Sequence, residues 1–149
     1  MTVRLATLAD IPQMHRVRIM VRENRLSDPA RVRLEDYEQK LHAGRGWVCE
    51  SDEQIVGFSI ADPANGAVWA LFVNPAYERR GIGRQLHDAM VDWLFQSGAT
   101  TIWLTTDPGT RAAHFYASAG WQWIANEPNG EARYELCRPN GARARGHCN

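Results

Sequence analysis

The 149-residue sequence predicts a mixed α/β (α+β) domain in which helices cover both faces of one sheet. Three observations support this fold class: the order of the strand and helix patterns, three consecutive strand patterns joined by short polar turns, and one strongly amphipathic helix beyond the middle of the chain. The sequence contains 44% hydrophobic and 23% charged residues, which is typical of a globular protein with an apolar core.

The chain opens with a strand pattern followed by two helix patterns. Val3-Arg4-Leu5 alternates as a strand does, and Asp10 is expected to cap a helix that reaches Val21. Ser27-Asp28-Pro29 breaks that helix, and a second helix is expected to begin near Leu34.

The next three strand patterns are separated by polar turns and predict an antiparallel meander. These strands are expected at Trp47 to Glu50, Gln54 to Ala61 and Val68 to Val73. The amphipathic helix begins at Gly83 or Arg84 and ends at Gln96, before Gly98. The remaining elements are a strand at Thr101 to Thr105, a helix at Thr110 to Ala119, and strands near Trp121 to Ile124 and Ala132 to Leu136.

Neither an internal repeat nor a long linker divides the chain, so we expect one domain over residues 1–137. Residues 138–149 are rich in Gly, Arg and Ala and lack apolar periodicity, so we expect a disordered tail.

The charge balance excludes some classes of partner. The chain has 17 Lys+Arg against 17 Asp+Glu, which argues against nucleic-acid binding by bulk electrostatics. The longest apolar run, Ala67 to Val73, is too short to cross a bilayer, and the first residues lack the pattern of a secretory signal. We therefore expect a cytoplasmic protein without membrane contact. The cysteines and histidines lack the spacing of metal ligands, so no metal is expected.

The segment from Asn74 to Arg84 concentrates Gly and Arg between an apolar strand and the amphipathic helix. Without side chains at Gly81 and Gly83, successive backbone N–H groups can face a phosphate at the N-terminus of a helix, and Arg79 and Arg80 add positive charge. The segment lacks the third glycine of a dinucleotide fingerprint and the Lys-Ser/Thr pair of a Walker A loop. A simple turn into the helix is the structural alternative.

Three stretches together resemble the GCN5-related N-acetyltransferase (GNAT) superfamily: Val68 to Pro75, Glu78 to Gly83, and Phe115 to Trp121. The resemblance covers nearly the whole domain, from Val3 to about Leu136. It implies the GNAT fold, in which a mostly antiparallel twisted sheet is splayed between two parallel strands. It also implies acetyl-CoA, or coenzyme A, as the bound co-substrate.

The resemblance assigns most of the cofactor site to one strand and the loop after it. The strand residues are expected to pair with the pantetheine amides through their backbone, and the loop is expected to bind the pyrophosphate. These cofactor-binding candidates are Leu71, Phe72, Val73, Arg79, Arg80, Gly81, Ile82, Gly83 and Arg84, joined by Arg111 and Phe115 from the next helix. Glu78 stands where the family has Gln or Arg. Because the phosphate contacts are mainly backbone N–H groups, an outward-facing Glu78 is compatible with binding, although it removes one side-chain donor.

Tyr116 is the candidate catalytic residue. The Phe-Tyr-x-x-x-Gly-Trp element resembles the family segment whose tyrosine protonates the departing thiolate of coenzyme A. A phenol with a pKa of about 10 is a plausible acid toward a thiol with a pKa of about 8.5. The alternative is a core aromatic residue with a satisfied polar tip.

The general base and the acceptor site are less defined. Many relatives have a Glu near the start of the strand before the phosphate loop, and the stretch Gly66-Ala67-Val68-Trp69 has none. The candidate bases are Glu23, Asp62 and Asp107, with a water chain to solvent as the alternative. Glu23 and Trp69 are the candidate acceptor-side residues.

Together these observations predict transfer of an acetyl group from acetyl-CoA to a primary amine by direct attack. The acceptor is expected to be a small molecule or a peptide whose identity the sequence leaves open. Three alternatives remain: transfer of a longer acyl group, a CoA-binding sensor that has lost catalysis, and a nucleotide-phosphate binder. A homodimer is common in the family, although no segment of this sequence indicates one.

Overall fold

The computed structural model describes residues 1–21 and 32–139. The strands are β1 (Thr2–Leu5), β2 (Arg45–Ser51), β3 (Gln54–Asp62), β4 (Ala67–Val73), β5 (Thr101–Thr106), β6 (Gln122–Asn126) and β7 (Ala132–Cys137). The helices are α1 (Ile11–Met20), α2 (Leu34–Ala43), α3 (Ile82–Gln96) and α4 (Arg111–Ser118). These elements confirm the predicted mixed α/β class. The predicted break at Ser27-Asp28-Pro29 and residues 140–149 of the predicted tail lie outside the described residues.

The seven strands form one sheet in the order β1-β2-β3-β4-β5-β7-β6. All neighbours are antiparallel except β4 and β5, which run parallel and pair only at Ala67 and Trp103. The Trp103 N–H also donates to the carbonyl of Gly66 at 3.0 Å. Beyond this point β4 has no ladder partner on its β5 side within the described part of the chain. The sheet therefore splays open toward Val73, as the resemblance implies.

Two clusters of buried side chains pack the helices against the sheet. One cluster joins α3 to β2, β3 and β5 through residues such as Leu86 and Leu94. The other joins α1 and α2 to β3 through Met14, Tyr37 and Phe58. Helices therefore cover both faces of the sheet, as the sequence predicts.

Gly57 allows α3 to approach the sheet closely. A Cβ atom at this position would lie 3.1 Å from side-chain atoms of both Ile82 and Leu86 and 3.2 Å from the carbonyl oxygen of Phe72. Nearby, the buried Ser59 hydroxyl donates to the carbonyl of Leu86 at 3.1 Å. Since these contacts involve the first turns of α3, they hold its N-terminus at the open end of the sheet.

Asp10 has a different role from the predicted one. It ends the 3-10 turn Leu8–Asp10, and its side chain does not cap α1. Its carboxylate accepts hydrogen bonds from the Thr7 backbone N–H at 2.8 Å and from Arg4 at 2.8 and 3.0 Å. The Arg4 hydrogen bonds hold the pKa of Asp10 below its usual range. Asp10 therefore ties the start of α1 to β1.

Candidate active site

A cleft of about 1010 Å³ opens where β4 and β5 separate. It is bounded by β4, β5, the loop before α3, and residues of α1, α2 and α4. Twelve of the predicted site residues line it: Trp69, Leu71, Phe72, Val73, Arg79, Gly81, Ile82, Gly83, Arg84, Arg111, Phe115 and Tyr116. Arg80 does not line the cleft, because its guanidinium lies 5.1 Å from the ring centre of Tyr77 on an exposed part of the loop. Glu23 lies outside the described residues.

The loop between β4 and α3 turns twice before the helix begins. The first turn is the 3-10 segment Pro75–Tyr77, which Asn74 caps by accepting a hydrogen bond from the Ala76 N–H at 2.9 Å. The second passes through two positive φ angles, 63° at Arg79 and 81° at Gly81. Glycine adopts that conformation at little cost, whereas arginine is strained there. The strain lies at the edge of the cleft.

The N-terminus of α3 presents free backbone N–H groups to the cleft. The first helical hydrogen bond is donated by Gln85 to the carbonyl of Gly81 at 3.1 Å, so the N–H groups of Ile82, Gly83 and Arg84 precede it. This 15-residue helix directs the positive end of its dipole to the same place. A Cβ atom at Gly83 would meet only Val73, at an ordinary 3.7 Å, so the protein itself does not require glycine there. The arrangement suits an anion such as a phosphate.

Glu78 forms an ion pair with Arg111, and both residues line the cleft. The pair joins the loop between β4 and α3 to the first turn of α4. Thr110 caps α4, its hydroxyl accepting a hydrogen bond from the Ala113 N–H at 3.2 Å.

Tyr116 is buried on α4 with only 6% of its surface exposed. Its ring lies 5.4 Å from that of Phe115 and 5.5 Å from that of Trp121. Burial raises the pKa of the phenol above its ordinary value, so the hydroxyl keeps its proton at neutral pH. No hydrogen bond within the described residues engages this hydroxyl, which leaves it available to a ligand in the cleft.

His87 supports this aromatic group, and sequence reasoning missed it. Trp121 donates its indole N–H to His87 Nε2 at 3.0 Å, and His87 Nδ1 lies 2.8 Å from a carboxylate oxygen of Asp88. These partners require the neutral tautomer with its proton on Nδ1. The ring packs against Phe115 and Tyr116 at 5.4 and 6.3 Å between centres. His87 lies three, four and seven residues before Met90, Val91 and Leu94, and this helical spacing could have indicated that His87 is on the buried face of α3.

A second half of the cleft lies on the α1 side of β4. Trp69 and Tyr37 form its wall, with their rings edge to face at 5.4 Å. The Tyr37 hydroxyl lies 2.9 Å from His15 Nδ1, and burial raises the pKa of Tyr37 to about 12. Arg18 also lines this half, with its guanidinium 4.2 Å from the ring centre of Phe72. No motif in the sequence singled out Arg18.

Of the carboxylates proposed as bases, the structure places Asp107 in the cleft. Asp62 does not line the cleft, because it is buried beside Lys40 and Asn65, which donate to its carboxylate at 2.9 and 2.8 Å. Glu131 lines the cleft, and sequence reasoning missed it. Thr106 pairs with Ala132, so Asp107, which follows β5, and Glu131, which precedes β7, lie at the same end of the sheet.

Residues 1–21 and 32–139 contain no group of three or more His, Cys, Asp or Glu side chains arranged to hold a metal ion. No helix in this part of the chain is both long enough and apolar enough to span a membrane.

Comparisons with known proteins agree with this architecture. The family model described as Acetyltransferase (GNAT) family matches residues 11–121. No curated protein matches the sequence. Among solved structures, the ribosomal-protein-S18-alanine N-acetyltransferase from Escherichia coli is 19% identical with a TM-score of 0.71, covering 90% of each chain.

Two other similar structures were determined with coenzyme A. The PaiA N-acetyltransferase from Thermoplasma acidophilum is 12% identical with a TM-score of 0.80, covering 93% of this chain and 100% of its own. Rv2747 from Mycobacterium tuberculosis, in complex with CoA and NLQ, is 16% identical with a TM-score of 0.75 and the same coverage. At these identities the likeness establishes the fold.

The neutral state of His87 predicts a pH dependence of stability. Burial lowers the pKa of His87 below the 6.5 of an unfolded histidine, so the unfolded chain binds a proton that the folded chain excludes. Stability should therefore fall as the pH drops below about 6.5. When the pH falls from 7.5 to 5.5, the unfolding free energy of wild type should decrease more than that of His87→Gln. The difference between the two decreases should be up to about 1.4 kcal/mol.

Urea unfolding at several pH values measures this difference. The matched control is His114→Gln, because His114 is exposed on α4. A pH profile of His87→Gln that parallels the wild-type profile would show that His87 takes up its proton in the folded state.

Proposed function

The chain belongs to the acetyltransferase (GNAT) family, and we propose that it binds acetyl-CoA in the cleft and transfers the acetyl group to a primary amine by direct attack. One observation carries the proposal: a single cleft joins the unpaired edge of β4, the N-terminus of α3 and the buried phenol of Tyr116. These are an extended-chain binding edge, an anion site and a proton donor, which are the three features that a thioester of coenzyme A requires.

The proposed cofactor site follows the contacts described above. The pyrophosphate would accept hydrogen bonds from the N–H groups of Ile82 to Arg84, with Arg79 adding positive charge. The pantetheine arm would lie along the open edge of β4, where the backbone of Leu71 to Val73 takes the place of a neighbouring strand. Arg80 is left out of this proposed site because it does not line the cleft. Its guanidinium packs against the ring of Tyr77 instead.

The proposed chemistry needs two proton movements. Bound acetyl-CoA supplies the acetyl group as a thioester, the acceptor nitrogen bonds to its carbonyl carbon, and the carbon–sulfur bond breaks. Tyr116 donates its phenolic proton to the departing thiolate. The proton lost by the amine passes to water or to one of the carboxylates that line the cleft, Asp107 or Glu131. Holding amine and thioester together contributes several kcal/mol, roughly 7 to 11 in well-oriented models.

A titration and an assay together test the proposal. Calorimetric titration of the purified chain with CoA should show binding that an equal concentration of ATP does not displace. Thiol release from acetyl-CoA should then depend on an added amine. Binding without amine-dependent release would favour a sensor, equal binding of ATP would favour a nucleotide-phosphate binder, and faster release from longer donors would favour another acyl group.

Gly83→Asp should weaken CoA binding by about tenfold or more, because it places a carboxylate beside the proposed pyrophosphate. The matched control is Gly83→Ala, whose Cβ atom fits the protein at 3.7 Å from Val73. Calorimetry should find that the alanine variant, which adds the Cβ atom without the charge, loses less affinity than the aspartate variant. Circular dichroism should find both variants equally folded. Unchanged affinity in Gly83→Asp would remove the anion role from this helix terminus.

Glu78→Gln should leave CoA affinity similar or improve it by up to a few-fold, because it removes a negative charge near the diphosphate and loosens the hold on Arg111. The gain should shrink at high salt. Glu38→Gln, an exposed substitution on α2, provides the control for net charge. A large loss of affinity would instead mean that the ion pair shapes the phosphate loop.

Tyr116→Phe should lower kcat by about 10²- to 10⁴-fold while CoA affinity changes little. The fall should be smaller with donors whose leaving thiol is more acidic, because that thiolate needs less protonation. The cost in stability should be modest, because no described residue bonds to the hydroxyl. Tyr134→Phe removes a phenol outside the cleft and should leave kcat unchanged. An equal loss for every leaving group would make Tyr116 a packing residue.

A further inference from the structure

Arg18 carries a buried donor that the protein leaves unsatisfied. Its Nη1 atom is shielded from solvent and has no hydrogen-bond partner among the described residues. Burying a cationic N–H group without a partner is destabilising. A group of this kind in a cleft wall is expected where a ligand supplies the missing acceptor.

The surroundings of Arg18 fix the direction from which an acceptor group would approach. The guanidinium lies 4.2 Å from the ring centre of Phe72, which covers one face of its plane. The edge of that plane presents paired N–H groups in a fork that matches a carboxylate. Tyr37 and Trp69 form the wall beside it. An acceptor in the cleft would therefore meet the guanidinium between aromatic walls.

Charges of both signs line this half of the cleft. Arg18 lies on α1, whereas Asp107 follows β5 and Glu131 precedes β7. Burial lowers the pKa of Arg18, with Tyr37, Asp107 and Glu131 acting against that shift. A ligand in the cleft therefore lies near a cation and near two carboxylates.

We propose that Arg18 selects amine acceptors that also carry a carboxylate. The acceptor carboxylate would bind the Arg18 guanidinium, and its ammonium group would face Asp107 and Glu131 until it loses a proton and attacks. This inference rests on the proposed acetyl transfer and names the class of acceptor. Two sources share the chemistry: a free amino acid, and a peptide whose N-terminal amine lies near an acidic side chain.

Acceptor pairs that differ only in the carboxylate test this inference. The free-amino-acid arm compares L-α-amino acids with their α-amides. The peptide arm compares amidated dipeptides that end in Asp with those that end in Asn. Each pair is assayed by thiol release with wild type, Arg18→Gln, Arg18→Lys and the control Arg16→Gln, which changes an exposed arginine on the same helix.

Wild type should favour the carboxylate member of at least one pair by about 10- to 100-fold in kcat/KM, mostly through KM. The arm that shows the preference identifies the source. Arg18→Gln should abolish the preference while leaving CoA affinity and the rates with amides near wild type. Arg18→Lys should keep part of the preference for the carboxylate, and Arg16→Gln should keep all of it. The unfolding midpoint of Arg18→Gln should be equal or higher, because the unsatisfied charge is removed.

If wild type acts equally fast on the carboxylate and the amide acceptor of every pair, the inference is overturned. It is also overturned if Arg18→Gln lowers kcat/KM equally for the carboxylate and the amide acceptors. A lower unfolding midpoint with an unchanged preference would make Arg18 a structural residue. All of these outcomes leave acetyl transfer itself standing.

A binding measurement separates failure of this inference from failure of the proposed function. The same amino acids and peptides are titrated into the protein saturated with CoA, or into the free protein if CoA does not bind. If the amino acids or peptides bind to wild type and to Arg16→Gln but not to Arg18→Gln, the carboxylate site is supported even without thiol release. If the protein shows neither acetyl transfer nor acceptor binding that depends on Arg18, the carboxylate site is rejected.

Discussion

The separation of β4 from β5 is the constraint on which the rest of the structure depends. After the single pairing of Ala67 with Trp103, no strand among residues 1–21 and 32–139 pairs with the backbone groups on this edge of β4. Inside a closed sheet such groups would be costly to leave unpaired, whereas at the wall of a solvent-filled cleft they can be hydrated or bind an extended ligand. The splay thus creates both the volume of the cleft and a binding edge along it.

Close packing then brings the other components to that opening. Gly57 lets α3 lie against β3 at a distance that a side chain would prevent, and this places the helix terminus beside the end of β4. On the same face, Tyr116 is buried among His87, Phe115 and Trp121. The N-terminus of α3 and the phenol of Tyr116 therefore derive their positions from the same core cluster.

The order of elements and the cleft lining were largely predictable from local patterns. Hydrophobic period and turn chemistry placed the strands and helices to within a few residues, and the two glycines and three arginines indicated the loop at the N-terminus of α3. Several contacts that the sequence did not indicate join distant segments. Glu78 meets Arg111 across 33 positions, Asp62 meets Lys40 across 22, and His87 meets Trp121 across 34. Such pairs follow from topology, which residue spacing does not encode.

The burial of Tyr116 has opposite effects on the two stages of the proposed proton transfer. A desolvated phenol is a weaker acid in the resting site, and this keeps it protonated until a thiolate forms beside it. After transfer, the same desolvation makes the tyrosinate unfavourable, so the phenol must regain a proton before the next cycle. Asp107 and Glu131 also line the cleft, and in the proposed reaction they or water would accept the proton of the amine. Tyr116 would therefore regain its proton from solvent or from the departing products. Access of water to the cleft between the splayed strands is then part of turnover.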